Sequence, residues 1–172
     1  MFEVGDYIVY GNNGVCLVEK VGPLDSKITS KDKVYYTLSP CYMKGSRIFI
    51  PADNEKVLMR PVMTEKESLA LIDAMEEMES LWIPEEKRRE AEYKEALQKC
   101  DATELVKIIK TIFRRKETRL AEGKKITATD EKYYHLAEER LYGEFAIALH
   151  MEKEEVQEFI ESRIKEQVCE AE

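Results

Sequence analysis

The sequence predicts an α+β fold in which a small five-stranded β-barrel precedes an all-helical domain of about five helices. Two runs rich in β-branched and aromatic residues, 4–10 and 15–21, flank the Gly-Asn-Asn-Gly segment 11–14, and this is the pattern of a β-hairpin. In the second part of the chain, apolar residues recur instead at the three- and four-residue spacing of helices. The change of pattern predicts two domains, residues 1–62 and residues 63–172.

Three further strands follow the hairpin in the sequence. We predict them at 33–38 and 46–50, where β-branched and aromatic residues cluster or alternate, and at 55–60 as a shorter strand. Pro51 and Pro61 stand directly after the last two as strand breakers. Five short strands at this spacing are typical of a strongly bent barrel of SH3 or Tudor type. Such barrels bind partners through exposed edge strands or aromatic clusters and are seldom enzymes.

The helical domain is predicted to begin with a capping box. In this motif the Thr64 hydroxyl and the Glu67 carboxylate each accept a hydrogen bond from a backbone N–H at the start of the helix. The apolar stripe that follows at helical spacing consists of Leu69, Ile72, Met75 and Leu81. Because proline suits the first turn of a helix and not its interior, Pro84 is expected to separate this helix from the next.

Four more helices are expected from the same periodicity. They lie at about 85–99, 101–123, 127–150 and 153–167. Asp101 is the predicted N-cap of the third helix, and Thr127 and Thr129 are alternative N-caps of the fourth. Gly123 is the predicted end of the third helix, because glycine readily adopts the left-handed conformation that follows a helix.

Composition narrows the classes of function. The 172 residues carry a net charge of −8, and no apolar run reaches the roughly 20 residues that cross a bilayer. The first residues do not resemble a secretion signal, so we expect a cytoplasmic protein. The four cysteines and two histidines are too widely separated in sequence to form a closely spaced zinc motif. We therefore expect neither a metal nor a cofactor.

Recognisable catalytic motifs are missing from the sequence. It contains no phosphate-binding glycine loop, and no serine or cysteine lies near a histidine in a recognisable turn. The sequence thus predicts a binding protein and not an enzyme. A pocket with strongly perturbed carboxylates would support the enzymatic alternative.

Charge is unevenly distributed along the chain. The net charge is +1 over residues 1–63, −7 over 64–86, +5 over 87–132 and −7 over 133–172. A positive stretch between acidic flanks is compatible with a nucleic-acid-binding face, although it equally fits a solvated helical surface. Within the positive stretch, the basic residues 114–116 are adjacent to Glu117, which is a candidate partner for them.

Four ordered sequence blocks are distinctive. They are FEVGDYIVYGNNGVCLVE at 2–19, RIFIPADN at 47–54, RR…YKEALQKCDATELVKIIKTIFRRK at 88–116 and LYGEFAIAL at 141–149. In these blocks the chain resembles the CarD/CdnL family of bacterial transcription regulators. The resemblance implies an N-terminal Tudor-like module that interacts with RNA polymerase, similar to one in transcription-repair coupling factors. It also implies a C-terminal helical DNA-binding domain.

The resemblance implies that an exposed edge strand docks on a lobe of the RNA polymerase β subunit. The matching strand here consists of Ser46, Arg47, Ile48, Phe49 and Ile50. Members of the family place one arginine at the position of Phe49 and another near Leu24, so we expect an apolar contact by Phe49 in place of a salt bridge. The alternative for Phe49 is an inward-facing position in the core.

For DNA, the resemblance implies a tryptophan that wedges into the minor groove at the upstream edge of the transcription bubble. Gapless matching puts that position at Glu86, and Trp82 lies four residues earlier. Trp82 either reaches DNA through a different loop or packs between helices. The residues expected to contact DNA, by wedging or by binding phosphates, are Trp82, Lys87, Arg88, Arg89, Lys94, Lys124, Lys125 and Lys132.

We therefore expect a monomeric regulator that binds RNA polymerase and tethers its helical domain to promoter DNA. Contacts to the DNA backbone and to the minor groove at the bubble edge would modulate the stability of the open complex. The acidic flanks favour an alternative, a protein–protein adaptor that uses the barrel edge without DNA contact. Salt-dependent binding to bubble-containing promoter DNA distinguishes the two.

Overall fold

The computed structural model describes residues 1–25, 27 and 31–171. Its internal contacts divide the chain into two compact units, Met1–Val62 and Met63–Glu172. The first, which we call the sheet unit, contains the described strands. The second, which we call the helical unit, contains the described α-helices.

In its described residues, the sheet unit holds an antiparallel sheet of five strands. They are β1 (Tyr7–Tyr10), β2 (Val15–Gly22), β3 (Tyr35–Pro40), β4 (Ile48–Pro51) and β5 (Met59–Pro61). Their order across the sheet is β4-β3-β2-β1-β5. In the described part of the chain β4 and β5 do not pair with each other, so the sheet is open and these strands form its two edges. Closure into a Tudor- or SH3-like barrel stays a prediction.

Four strands begin later than the sequence predicted: β3 and β4 by two residues, β1 by three and β5 by four. Residues 4–6 form a turn, because Gly5 adopts a φ of +96° and the Asp6 carboxylate accepts a hydrogen bond of 2.8 Å from the N–H of Glu3. A second local hydrogen bond explains the late start of β5. The side-chain amide of Asn54 donates to the carbonyl oxygen of Val57 at 2.8 Å. This loop bond keeps residues 55–58 out of the strand.

Pro51 and Pro61, predicted to stop strands, lie instead within β4 and β5. Proline lacks an N–H group, so it is tolerated in a strand only where no ladder hydrogen bond needs one. Edge strands provide such positions on their outer side. The core of the sheet unit lies on one face of the sheet and includes Ile8, Val18 and Leu38, each fully buried.

Five α-helices make up most of the described part of the helical unit. They are α1 (Glu65–Ala74), α2 (Arg89–Gln98), α3 (Ala102–Ala121), α4 (Ala128–Ala148) and α5 (Lys153–Glu170). The capping box of Thr64 is present, and Asp101 caps α3 through a bond from the N–H of Thr103. Of the two predicted caps of α4, Thr127 is the one that accepts a hydrogen bond, from the N–H of Asp130.

The predicted first and second helices are both shorter in the structure. After α1 the chain makes a short 3-10 turn at Met75–Glu77, and a second one at Glu86–Arg88 precedes α2. Residues 78–85 between these turns contain neither helix nor strand. Leu81, predicted to continue the stripe of α1, therefore lies in this connecting segment, although it still packs against the core.

The core of the helical unit collects apolar side chains from all five helices, among them Ile72, Tyr93, Ile108, Phe145 and Val156. At the surface, Arg163 on α5 donates two hydrogen bonds, of 2.6 and 2.9 Å, to the carboxylate of Asp73 on α1. This bidentate pair links the first helix to the last. None of the described helices is both long and apolar enough to cross a membrane.

Candidate interaction surfaces

The outer side of β4 is one of the two edges of the described sheet. Beyond the end of the strand, Ala52 donates its N–H to the carbonyl oxygen of Val34 at 2.9 Å. Antiparallel pairs alternate between hydrogen-bonded and non-bonded residues, and Phe49 opposite Thr37 lies in the non-bonded set. The N–H and C=O groups of Phe49 therefore point away from β3, toward the open edge. Pro51 belongs to the same set, which fits its lack of an N–H group.

The side chain of Phe49 is 54% exposed, so the predicted alternative of an inward core position is wrong. It lies in a groove of about 460 Å³ on the outer face of the sheet. The groove is lined by Lys20, Leu24, Asp25, Thr37, Arg47 and Phe49. Of the charged groups around it, Arg47 lies 3.3 Å from Glu19 and Lys20 lies 3.6 Å from Asp25.

Not every residue of the predicted polymerase-binding strand offers its side chain to a partner. Ile50 is buried and Ile48 packs against the core of the sheet unit. Ser46 precedes the strand, and its N–H bonds the carbonyl oxygen of Met43 at 3.3 Å. The exposed side chains are those of Arg47 and Phe49, because residues along a strand alternate between its two faces.

On the helical unit, Trp82 is 80% exposed, so the predicted alternative of an interhelical core position is wrong. The residues on either side of it, Leu81 and Ile83, do pack against the core. The backbone N–H of Leu81 also donates to the hydroxyl of Thr111 on α3 at 2.8 Å. The indole is therefore presented to solvent by a backbone that is anchored on both sides.

The start of this segment is fixed by a lysine of α3. The ammonium group of Lys110 donates to the carbonyl oxygens of Met75, Glu76 and Met78 at 2.7, 2.8 and 2.5 Å. Burial lowers the pKa of Lys110. The three carbonyls lie where α1 and its 3-10 turn end, so the lysine satisfies acceptors that have no partner within the helix.

A charged network joins three helices behind the segment. The guanidinium groups of Arg89 and Arg115 both bind the carboxylate of Glu86, with Nη2 of Arg89 and Nη1 of Arg115 at 3.1 and 2.7 Å from its Oε2. Nε of Arg115 lies 2.8 Å from Oδ2 of the buried Asp130, in an orientation too oblique for a hydrogen bond. Tyr93 accepts from Arg89 at 3.0 Å and donates to Asp130 at 2.8 Å.

This network changes the interpretation of one predicted DNA contact, Arg89, and of the basic residue Arg115. The side chains of Arg89 and Arg115 are only 17% exposed. Arg89, predicted to bind phosphate from the surface, is turned inward because it bridges Glu86 and Tyr93. Arg115 binds Glu86 and Asp130, so the expected pairing with Glu117 is wrong for this residue. Hydrogen bonds from Arg115 and Arg89 lower the pKa of Glu86 to about 2, and burial raises the pKa of Tyr93 to about 12.

The other predicted phosphate ligands lie at the surface. Three of them are close to carboxylates, with Arg88 3.6 Å from Glu92, Lys94 3.6 Å from Glu90 and Lys124 3.4 Å from Glu122. Lys132 lies over the ring of Tyr133, 5.3 Å from its centroid. Lys87 and Lys125 are exposed and have no carboxylate within 4 Å in the described part of the chain. Exposed pairs of this kind contribute little, so these charges stay available to a ligand.

Several residues of the candidate surface lie along α3, from its middle toward its end. Along α3, the hydroxyl of Thr111 accepts a hydrogen bond from the N–H of Leu81, and Arg115 donates to the carboxylate of Glu86. Further along, Arg119 donates to the carbonyl oxygen of Lys125 at 2.8 Å. These contacts follow one another over about 12 Å of helix, at 1.5 Å per residue. Two more lysines lie close to each other through a hydrogen-bonded pair. Lys94 is near Glu90, Lys132 lies over the ring of Tyr133, and the hydroxyl of Tyr133 donates to Glu90 at 3.0 Å.

Asp130, Tyr93 and Arg115 were not recognised in the sequence as a connected set. One signal for Asp130 was available, because it occupies the same helical face as Tyr133, Ala137 and Leu141, which is the buried face of α4. A carboxylate at such a position must have partners. Their identity could not be found from spacing, since Tyr93 lies on another helix.

The Glu86 carboxylate gives a first testable prediction. Its pKa is lowered from 4.5 to about 2, so its contribution to stability is complete above pH 4.5 and is lost as the pH falls toward 2. The difference in free energy of unfolding between the wild type and Glu86→Gln is therefore expected to shrink over this interval. Urea denaturation at several pH values measures it. A difference that does not change with pH would contradict the proposed ion pairs.

Comparison with known families gives two matches. Residues 2–63 match the CarD-like/TRCF RID domain, and residues 70–161 match the C-terminal domain of CarD. No curated protein matches the chain. Within the described residues there is no group of three or more histidine, cysteine or acidic side chains arranged to hold a metal ion.

Proposed function

We propose a mechanism from one premise: the chain belongs to the CarD-like family and is a transcription-associated protein that interacts with RNA polymerase. In this proposal the sheet unit binds a lobe of the polymerase β subunit. The helical unit is thereby held near promoter DNA, where it prolongs the lifetime of the open complex. The protein acts in the cytoplasm as a monomer, without catalysis and without a cofactor.

The proposed polymerase contact is addition of a partner strand to β4. The outward N–H and C=O groups of Phe49 can pair with such a strand, and unpaired edge groups are the usual template for this mode of binding. The partly exposed phenyl ring and the neighbouring Arg47 would give the contact its specificity. A closed barrel is not needed for this proposal, because β4 is an edge strand in the open sheet as well.

The exposure of Trp82 is the observation that supports the proposed DNA contact. Tryptophan is highly buried on average, so a tryptophan that is 80% exposed between two residues that pack against the core is unusual. Aromatic and apolar side chains held in this way can wedge between base steps at a disturbed site in DNA. We propose that Trp82 takes this role, four residues before the position that gapless matching to the family indicates.

Phosphate binding by the surface lysines and arginines supports this contact without reading sequence. All six of these residues are exposed, and three of them lie close to carboxylates; the six are Lys87, Arg88, Lys94, Lys124, Lys125 and Lys132. Such contacts are weak and sensitive to salt. Tethering to the polymerase compensates for this weakness by raising the effective concentration of the helical unit at the promoter.

The Trp82→Ala variant tests the proposal. We expect it to shorten the lifetime of the open complex by about tenfold, since an aromatic contact with a base contributes about 1–3 kcal/mol and 1.36 kcal/mol changes a rate tenfold. The measurement is decay of preformed promoter complexes after addition of a competitor, with the cognate polymerase. Polymerase affinity and thermal stability should not change.

Phe113→Ala is the matched control, because Phe113 is another partly exposed aromatic residue of the helical unit. Its effect on the lifetime should be small. Equal lifetimes for wild type and Trp82→Ala would exclude the wedge.

A second candidate function is an adaptor that does not touch DNA. It is favoured by the carboxylates beside Arg88, Lys94 and Lys124, which reduce the local positive charge. Binding of the full chain to bubble-containing promoter DNA at increasing salt separates the two functions. The DNA proposal requires binding that weakens steeply with salt, whereas the adaptor requires none at any salt concentration.

A further inference from the structure

Two guanidinium groups of the helical unit converge on a single carboxylate. Both arginines direct several donors at Glu86, and these include Nε of Arg89 at 3.4 Å from both carboxylate oxygens. The planar fork of arginine binds carboxylates and phosphates with the same geometry. The pair of arginines therefore has the form of an oxyanion site with Glu86 as its occupant.

Arg89 and Arg115 are also held in position by residues other than Glu86. Nε of Arg115 is paired with the buried carboxylate of Asp130, and Nη1 of Arg89 donates to the hydroxyl of Tyr93. That hydroxyl in turn donates to Asp130. Because these partners are buried, both guanidinium groups would keep their positions if Glu86 moved away.

The side chain of Glu86 can move away from the two arginines. Its side chain is 64% exposed, in contrast to the two arginines that it binds. It belongs to a 3-10 turn of three residues, directly after the non-helical segment 78–85. Glu86 and Asp130 together balance the charges of Arg89 and Arg115. A singly charged phosphodiester could therefore replace Glu86 without leaving either buried arginine uncompensated.

We propose that Arg89 and Arg115 form a phosphate-binding site, which the Glu86 carboxylate occupies until a phosphate group of DNA replaces it. The inference rests on the proposed function for the identity of the ligand. Glu86 follows Trp82 by four residues, so the backbones of these two residues lie within about 14 Å of each other. A nucleic acid held by Trp82 would present phosphates within this distance, because each strand carries one per 3.4 Å of helix axis.

Glu86→Gln opens the site in the full-length protein, and Glu85→Gln is the matched control. Glu85 is the preceding residue, its loss changes the net charge equally, and no basic group lies within 4 Å of it in the described part of the chain. Sulfate is the first probe, since it requires no DNA-binding function. We expect sulfate to raise the melting temperature of Glu86→Gln more than that of wild type or Glu85→Gln, because a ligand stabilises the state that binds it.

The second probe is a bubble-containing DNA duplex at fixed salt. Removing the competing carboxylate should tighten binding about tenfold for Glu86→Gln and much less for Glu85→Gln. Adding Arg89→Lys to Glu86→Gln should abolish most of both gains, because lysine keeps the charge but lacks the planar fork.

The outcomes separate this site from the proposed function. If sulfate stabilises all variants equally, there is no oxyanion site and the inference is overturned, even if wild type binds DNA. If sulfate selectively stabilises Glu86→Gln but no variant binds DNA, the oxyanion site stands and the proposed DNA role fails.

Discussion

Replacing Phe49 by alanine is expected to weaken binding of the full chain to the polymerase β-subunit lobe by about thirtyfold, or about 2 kcal/mol. The aromatic ring is partly exposed at the outer edge of the sheet, beside Leu24 and Thr37. A partner strand added to β4 would cover it, and buried aromatic anchors dominate the energy of such contacts. Titration of the lobe with labelled protein measures the change.

The fold should survive this change, because the lost ring is not part of the core of the sheet unit. Leu58→Ala is the control, since Leu58 is exposed to a similar extent and lies outside β4. It should bind the lobe as wild type does. If Phe49→Ala also bound normally while its melting temperature was unchanged, the edge of β4 would not be the binding surface.

Replacing Asp130 by alanine is expected to reduce the free energy of unfolding of the helical unit by about 3–5 kcal/mol. Asp130 is fully buried, accepts a hydrogen bond from Tyr93 and pairs with Arg115. Its removal leaves a guanidinium group in the interior with less compensation and a tyrosine hydroxyl without its acceptor. Denaturation followed by circular dichroism gives the free energy, and the loss of helical signal identifies the unit affected.

Glu131→Ala serves as the comparison, since Glu131 is the next residue of α4 and is exposed. Both variants lose one carboxylate from the first turn of this helix, where negative charge is favourable. Only the loss of the buried group should exceed 1 kcal/mol. Equal destabilisation by the two variants would mean that Asp130 acts through the helix dipole and not through its buried partners.

Several helix ends were predicted correctly from the sequence, because local chemistry determines them. The capping box of Thr64, the N-cap at Asp101 and the end of α3 before Gly123 depend on residues within a few positions of each other. Boundaries set by more distant contacts were less accurate. Leu81 has the apolar character of α1, but its N–H is bonded to Thr111 of α3, and no local pattern indicates that bond.

The same division applies to the candidate surfaces. The exposure of Phe49 depends on the position of β4 at the edge of the sheet, and alternation of residues along the strand was consistent with it. The exposure of Trp82 contradicts its apolar character and results from the way the chain is held on both sides. The inward orientation of Arg89 requires Tyr93 one turn later and Asp130 on another helix, so its position in a basic run predicted the wrong environment.

The link between α1 and α5 affects the order in which the protein can fold during synthesis. The strands of the sheet unit are complete by Pro61, whereas the helical unit needs Val156 and Ile160 for its core and Arg163 to bind Asp73. Ribosomes add about 5–20 residues per second, so roughly 5–20 seconds separate the two events. The edge of β4 can thus be formed on a nascent chain whose α1 still awaits its partner, and polymerase could meet the first unit before the second exists.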